Sequence, residues 1–294
     1  MSQLSDIRRH IESTPEVMLA VRRKGGKIPG RIAFIKMGAA RKRAEALRPY
    51  RSDMLRVIAR FRATDRERLP ALLGQREQGR RVALIVVCTD RGLCGGLNIN
   101  LFKKLLAHVE EQCQHERELQ FSVFGRKGIA FVNRINGNII TTVDAYGDNP
   151  ALRDLIGGIG AMIDAYRNGE LDRVYLVGNR FVNTMKQEAM IMQFLPATII
   201  SDDHYAPDHA WTYEYEPDAE QILDKLAVRY LESLVKQSVA ENIACEMSAR
   251  MIAMKNASDN AANLIGELEL QYNKARQAAI TQELTEIVSG AAAV

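Results

Sequence analysis

The sequence has no run of 18 apolar residues, only one tryptophan, and no proline after Pro217. The first absence argues against a membrane-spanning helix. The opening stretch MSQLSDIRRHIEST holds no apolar signal region, so the expectation is a cytosolic chain. Four cysteines, Cys88, Cys94, Cys113 and Cys245, show no C-x-x-C spacing and no adjoining histidine pair. That pattern reads as free thiols in a reducing compartment, not as a disulfide framework or a zinc site. The five histidines are scattered, and Asp202, Asp203 and Asp208 fall in a loop flanked by Pro196 and Pro207, where solvated carboxylates are the simpler reading than metal ligands. No G-x-S-x-G, H-E-x-x-H or kinase motif occurs. The sequence therefore assigns no catalytic residue, no metal ligand and no cofactor.

What is present is lopsided. Residues 1–81 carry 21 Lys/Arg against 8 Asp/Glu, a net of +13, whereas residues 82–294 carry 19 against 28, a net of −9. A basic N-terminal segment implies an acidic partner, which could be nucleic acid, anionic lipid or a protein surface. Aromatic residues are sparse in that segment (Phe34, Tyr50, Phe61), and no nucleic-acid-binding motif accompanies them. A basic nucleic-acid-binding or scaffold protein with a non-catalytic α/β domain is the competing reading.

Three regions follow one another. Residues 1–75 are rich in Arg, Ala, Leu and Glu, and Ile35, Ala39, Leu47, Met54, Leu55 and Ile58 fall near one stripe at helical spacing. Residues 76–210 alternate short apolar runs with helical patterns. RVALIVVC, LQFSVFG, NIITTVD, DRVYLVGN and AMIMQFLPA read as strands; NINLFKKLLAHVEEQC and NPALRDLIGGIGAMIDAYRNG read as helices, the second starting at Asn149-Pro150. Such alternation predicts an α/β domain with a mostly parallel sheet. Residues 211–294 repeat apolar positions every three or four residues: Leu223, Leu226, Tyr230, Leu234, Val239, Ile243, Met247, Met251, Met254, Leu264, Leu268, Tyr272 and Ala275. A helix of about 70 residues spans roughly 100 Å at 1.5 Å per residue, more than a domain of this size covers. Such a stripe calls for a partner helix, and the N-terminal region supplies it. The predicted fold is thus α/β with a long antiparallel coiled coil of N- and C-terminal helices and the α/β domain inserted between them.

The loop TDRGLCGGLN, Thr89 to Asn98, joins a predicted strand to a predicted helix as phosphate loops do. It lacks the lysine of G-x-x-x-x-G-K-[ST], and GLCGG has the wrong spacing for G-x-G-x-x-G. A tight structural or protein-contact turn is one reading of it, and anion binding the other.

Three features then carry a resemblance: this loop, the terminal helices around an α/β domain, and the closing segment ITQELTEIVSGAAA, Ile280 to Ala293. Together with ENIACEMSARMIAMKNASDNA they resemble the gamma subunit of F-type ATP synthase of the proteobacterial kind, over about residues 40 to 294. The resemblance implies a central rotor shaft that couples rotation of the c-ring to nucleotide-site changes in the alpha/beta ring, with no catalytic site of its own. It implies alpha, beta and epsilon subunits and the c-ring as partners, with no nucleic acid. It also implies membrane association only through the complex, peripherally, on the cytoplasmic face of the bacterial inner membrane. Arg276, Gln277 and Thr281 match family positions that hydrogen-bond a beta-subunit loop. Glu246 and Arg250 match positions near an acidic beta-subunit lever, and Tyr213, in YEYEPD, matches the stretch that meets the c-ring. The segment STPEVMLAVRRKGGKIPGRIAFIK departs from the family's unbroken helix. Its Gly25, Gly26, Pro29 and Gly30 predict a short helix from Pro15 to Lys24, a break between about Lys24 and Arg31, and a second helix from near Pro29.

Overall fold

The computed structural model describes residues 27–64, 72–73, 79–144, 146–197 and 219–292, together with Asp6 and Arg9. In chain order the elements are α1 (Lys27–Thr64), β1 (Arg81–Val87), α2 (Leu97–Gln114), β2 (Glu118–Phe124), α3 (Arg126–Arg134), β3 (Asn138–Val143), α4 (Leu152–Arg167), β4 (Arg173–Phe181), β5 (Gln187–Leu195) and α5 (Ala219–Ala292). The chain forms two compact units, one of residues 33–249 and one of residues 1–32 with 250–294.

In the larger unit the strands form one sheet ordered β3-β2-β1-β4-β5, parallel except for the β4–β5 hairpin. β1 is buried along Val82–Val87 because helices cover both its faces, which is why it reads as one apolar run with no alternation. Leu84 and Val86 face one way, with Phe121, Val123 and Val177, onto Leu101 and Leu105 of α2 and Val132 of α3. Ala83, Ile85 and Val87 face the other way, into a core shared with α4, α1 and α5. Asp172 fastens the start of the sheet: its carboxylate accepts the N–H groups of Arg80 and Arg81 at 3.1 and 3.0 Å and the Arg81 guanidinium at 3.1 Å.

Within this unit α1 and α5 run antiparallel. Arg51 donates to the Gln237 amide oxygen at 2.8 Å, while Arg43 and Leu47, earlier in α1, share a cavity with Ala240 and Ile243, later in α5. From Leu231 to Ala249 nearly every residue of α5 is buried, polar ones included. The hydroxyl of Ser238 lies close to β4: a Cβ on Gly178 would sit 2.7 Å from it and would push the hydroxyl aside.

Several expectations need correction. The buried stripe of α1 is Ala33, Met37, Ala40, Ala44, Met54 and Ile58, whereas Ile35 is 67% exposed. Small alanines let the helix come close, and the larger Ile35 sits outside the seam. The fourth helix starts at Leu152, with Ala151 as its cap and the Asp154 carboxylate accepting the Ala151 N–H, not at Asn149-Pro150. Helix α3, between β2 and β3, has no counterpart in the sequence reading. The second helix, expected from near Pro29, begins at Lys27, two residues earlier; Pro29 is tolerated because it falls in the first turn, where its missing N–H has no acceptor to lose. Pro15–Lys24 and Gly25-Gly26 lie outside the described residues.

Candidate functional site

β1 ends in the glycine loop at the point where the strand order reverses, the position at which open α/β sheets hold ligands. Here the loop's side chains are engaged with one another. Asn98 donates to the Thr89 hydroxyl at 2.7 Å, Thr89 donates to the Arg91 carbonyl at 2.7 Å, and the Asp90 carboxylate accepts the Arg126 N–H at 3.0 Å. Two of its apolar side chains, Cys94 and Leu97, are buried against Cys245 and Ala249 of α5, while Leu93 is exposed. The loop thus packs as a clamp on the long helix.

Behind it lies a buried polar relay that no sequence motif announces. The Tyr146 hydroxyl donates to the Cys88 carbonyl and accepts from the Asn242 amide at 3.3 Å. The Asn242 oxygen accepts from Asn179 at 2.9 Å. Four elements of chain (the end of β1, the loop before α4, β4 and α5) are joined by these bonds. A fully satisfied buried network of this kind fixes one arrangement, because any rotation of α5 about its axis strands polar groups away from water. Spacing could not reveal it: Tyr146 and Asn242 are 96 residues apart.

The thiols are chemically quiet. Burial pushes Cys88 up to about 12, although the Gly128 N–H donating to its sulfur at 2.9 Å opposes the shift. Burial raises Cys245 still further. Neither is a nucleophile at neutral pH. Among the described residues no group of three or more His, Cys, Asp or Glu is placed to hold a metal ion.

The residues matched by resemblance fall along α5. Glu246 is buried at 7% exposure and Arg250, one turn on, is half-buried. Arg276, Gln277 and Thr281 are exposed about 40 Å further along the helix at 1.5 Å per residue, and Thr281 donates back to the Gln277 carbonyl at 2.8 Å. The structure therefore brings Gln277 and Thr281 together on adjacent turns of the helix. Tyr213 lies outside the described residues. Around Arg276 the helix also carries exposed apolar side chains, Leu270, Ile280, Leu284, Ile287 and Val288. The apolar stripe read from the sequence as the seam of a helix pair is buried as far as Met247; beyond it Met251, Met254, Leu268, Tyr272 and Ala275 are half-buried and Leu264 is exposed.

A family model described as ATP synthase matches residues 4–294, further toward the N-terminus than the resemblance reached. The ATP synthase gamma chain of Dichelobacter nodosus is 48% identical over 294 residues, covering all of both chains. That of Legionella pneumophila is 46% identical over 263 residues, covering 90% of this chain and 91% of its own. Among solved structures, a chain of the Euglena gracilis mitochondrial ATP synthase in rotational state 3 matches with a TM-score of 0.62 at 18% identity, covering 99% of this chain and 94% of its own. A chain of the Tetrahymena thermophila mitochondrial ATP synthase central stalk and c-ring matches with a TM-score of 0.57 at 20% identity, covering 79% and 98%. These last two likenesses are of fold.

Proposed function

The chain belongs to the ATP synthase gamma-chain family, and from that premise we propose that it is the central rotor shaft of the complex, carrying c-ring rotation to the nucleotide sites of the alpha/beta ring. Its partners are the alpha, beta and epsilon subunits and the c-ring. The chain itself has no catalytic site and contributes mechanical work. It joins the membrane only through the complex, at the cytoplasmic face of the bacterial inner membrane. The working division is a helical segment at 1–75, an α/β body at 76–210 and a long helix at 211–294.

The observation that carries this reading is the exposed apolar face on the far part of α5. A helix that exposes Leu270, Ile280, Leu284, Ile287 and Val288 among charged residues has a face suited to a surrounding partner. A shaft must also transmit torque. The stretch Leu231–Ala249, buried nearly throughout and keyed by Asn242 to β4 and by Gln237 to α1, resists turning against the body because turning would break those bonds without replacement. Rotation then biases partner states through contacts that differ from face to face of a rigid element.

Arg276, Gln277 and Thr281 are the partner-contact residues of this reading, with Glu246, Arg250 and Tyr213 as further ones nearer the body. Replacing Arg276 and Gln277 by alanine tests it. Both are exposed, so the chain's own melting temperature stays within about 1 °C, a shift below about 0.5 kcal/mol. A charged interface hydrogen bond is worth about 1.5–3 kcal/mol, so ATP synthesis in reconstituted vesicles should fall about tenfold or assembly should weaken by that factor. Unchanged synthesis and assembly in the double variant would remove these residues from the interface.

A further inference from the structure

Beside the α1–α5 seam, on the body rather than on the far helix, lies a cavity of about 410 Å³. Its walls are Arg43, Ala46 and Leu47 of α1, Lys236, Ala240 and Ile243 of α5, and Asn149, Pro150 and Ala151 before α4. Lys236, Ala240 and Ile243 are spaced i, i+4, i+7, and Arg43, Ala46 and Leu47 are spaced i, i+3, i+4, so each helix presents one cation and an apolar patch to the same space. The floor is apolar, with Ala240 and Ile243 buried. No carboxylate lines the cavity. Asp148, next to the lining residue Asn149, is paired with Lys36, and its backbone carbonyl accepts from Arg43 at 3.1 Å. That bond holds the guanidinium in place while leaving it other N–H donors.

We propose that this cavity binds a small amphipathic carboxylate, its head between Arg43 and Lys236 and its short apolar tail on Leu47, Pro150, Ala240 and Ile243. Two half-buried cations without an acidic wall residue are complementary to one anion, and a guanidinium fork matches a carboxylate in geometry. The size favours a small molecule over a protein: a concave space of a few hundred Å³ with an apolar floor is the usual form of a small-ligand site. Because the cavity is formed by the two helices and the loop leading into α4, a ligand there would bear on the seam that carries torque. The inference does not depend on the role proposed for Arg276 and Gln277.

Octanoate is the probe, titrated into the full-length chain by calorimetry, with acetate and octanol as partners lacking tail or charge. The expected result is saturable octanoate binding and little response to either control. Arg43→Gln and Lys236→Gln should each weaken it about tenfold, the loss expected for one charge-assisted bond, and Ala46→Trp should block it by filling the mouth. A mass-spectrometric footprint supplies a second readout in the unaltered chain: octanoate should protect Lys236, but not the exposed Lys42, from acetylation. Absence of saturable binding at millimolar octanoate overturns the proposal. So does binding that survives both charge substitutions, or octanoate that leaves Lys236 unprotected, since the fatty acid then sits on another apolar surface. If a variant fails to fold, the footprint on the unaltered chain still decides.

Discussion

Gly125 has φ of 107°, and a Cβ there would lie 2.5 Å from the Cys88 carbonyl oxygen and 2.9 Å from the Cys88 sulfur. The same carbonyl receives the Tyr146 hydroxyl, so neither partner has room to retreat. Gly125→Ala should therefore cost more than about 3 kcal/mol, well beyond an ordinary substitution, as measured by denaturant unfolding. The residue scale also separates the four cysteines. Cys88, Cys94 and Cys245 are buried and Cys113 is exposed. With Cys88 pushed up to about 12, its thiolate is scarce at neutral pH as well as inaccessible. One maleimide per native chain is expected by mass spectrometry, at Cys113, and four after denaturation. Fast labelling of Cys94 or Cys245 would show that the clamp between the glycine loop and α5 opens readily. None of this crowding shows in the sequence, where Gly125 and Cys88 stand 37 positions apart.

At the scale of elements, strands were the most legible part. All five predicted runs become strands with ends shifted by a residue or two, because a sheet covered on both faces selects unbroken apolar stretches. Helix α3 escaped notice because RKGIAFVNR gives only nine residues of pattern. The stripe of α1 was misplaced at Ile35 because hydrophobic size is a poor guide where alanines form a close seam. The clasp that adds to the parallel ladder at the start of β1 and β4 was not readable, since it rests on the Asp172 carboxylate. Burial raises the Asp172 pKa, but the Arg81 and Arg80 amides and the Arg81 guanidinium outweigh it and hold the group below its ordinary value. Its native pKa thus lies below that of the unfolded chain, which takes up the proton first as pH falls. The stabilisation is present above about pH 4 and is lost below it. Asp172→Asn should lower stability by about 2 kcal/mol at pH 7. The gap between the two proteins' melting temperatures should narrow as the buffer is taken from pH 5 toward pH 3. A gap that stays constant over that range would mean the carboxylate's charge does not hold these strands.

At the scale of the whole molecule, one apolar period runs through α5 but serves two ends. Up to Met247 it feeds the chain's own core; beyond it Met251, Met254, Leu268, Tyr272 and Ala275 are only half-buried, and beside them Leu270, Ile280 and Leu284 are exposed. The sequence period is the same in both stretches, so periodicity alone could not tell a self-buried face from one kept for a partner. The family resemblance supplied that distinction, and the family model and the 48% identical relative bear the family out. The difference between the two stretches can be measured with the same substitution. Leu231→Asp places a charge at a fully buried position with no partner, and the chain should fail to fold. Ile280→Asp with Leu284→Asp places two charges at sites 47% and 58% exposed. Helix propensity and like-charge repulsion there cost about 1 kcal/mol together, so the isolated chain should keep its circular dichroism and melt within about 5 °C of the parent. Assembly should respond quite differently, because burying either carboxylate against a partner subunit means desolvating it. The pair should therefore prevent reconstitution with alpha and beta subunits on size-exclusion chromatography. A complex that forms with parental yield would show that this face of α5 stays in water, and the shaft would then have to engage its ring through the polar residues alone.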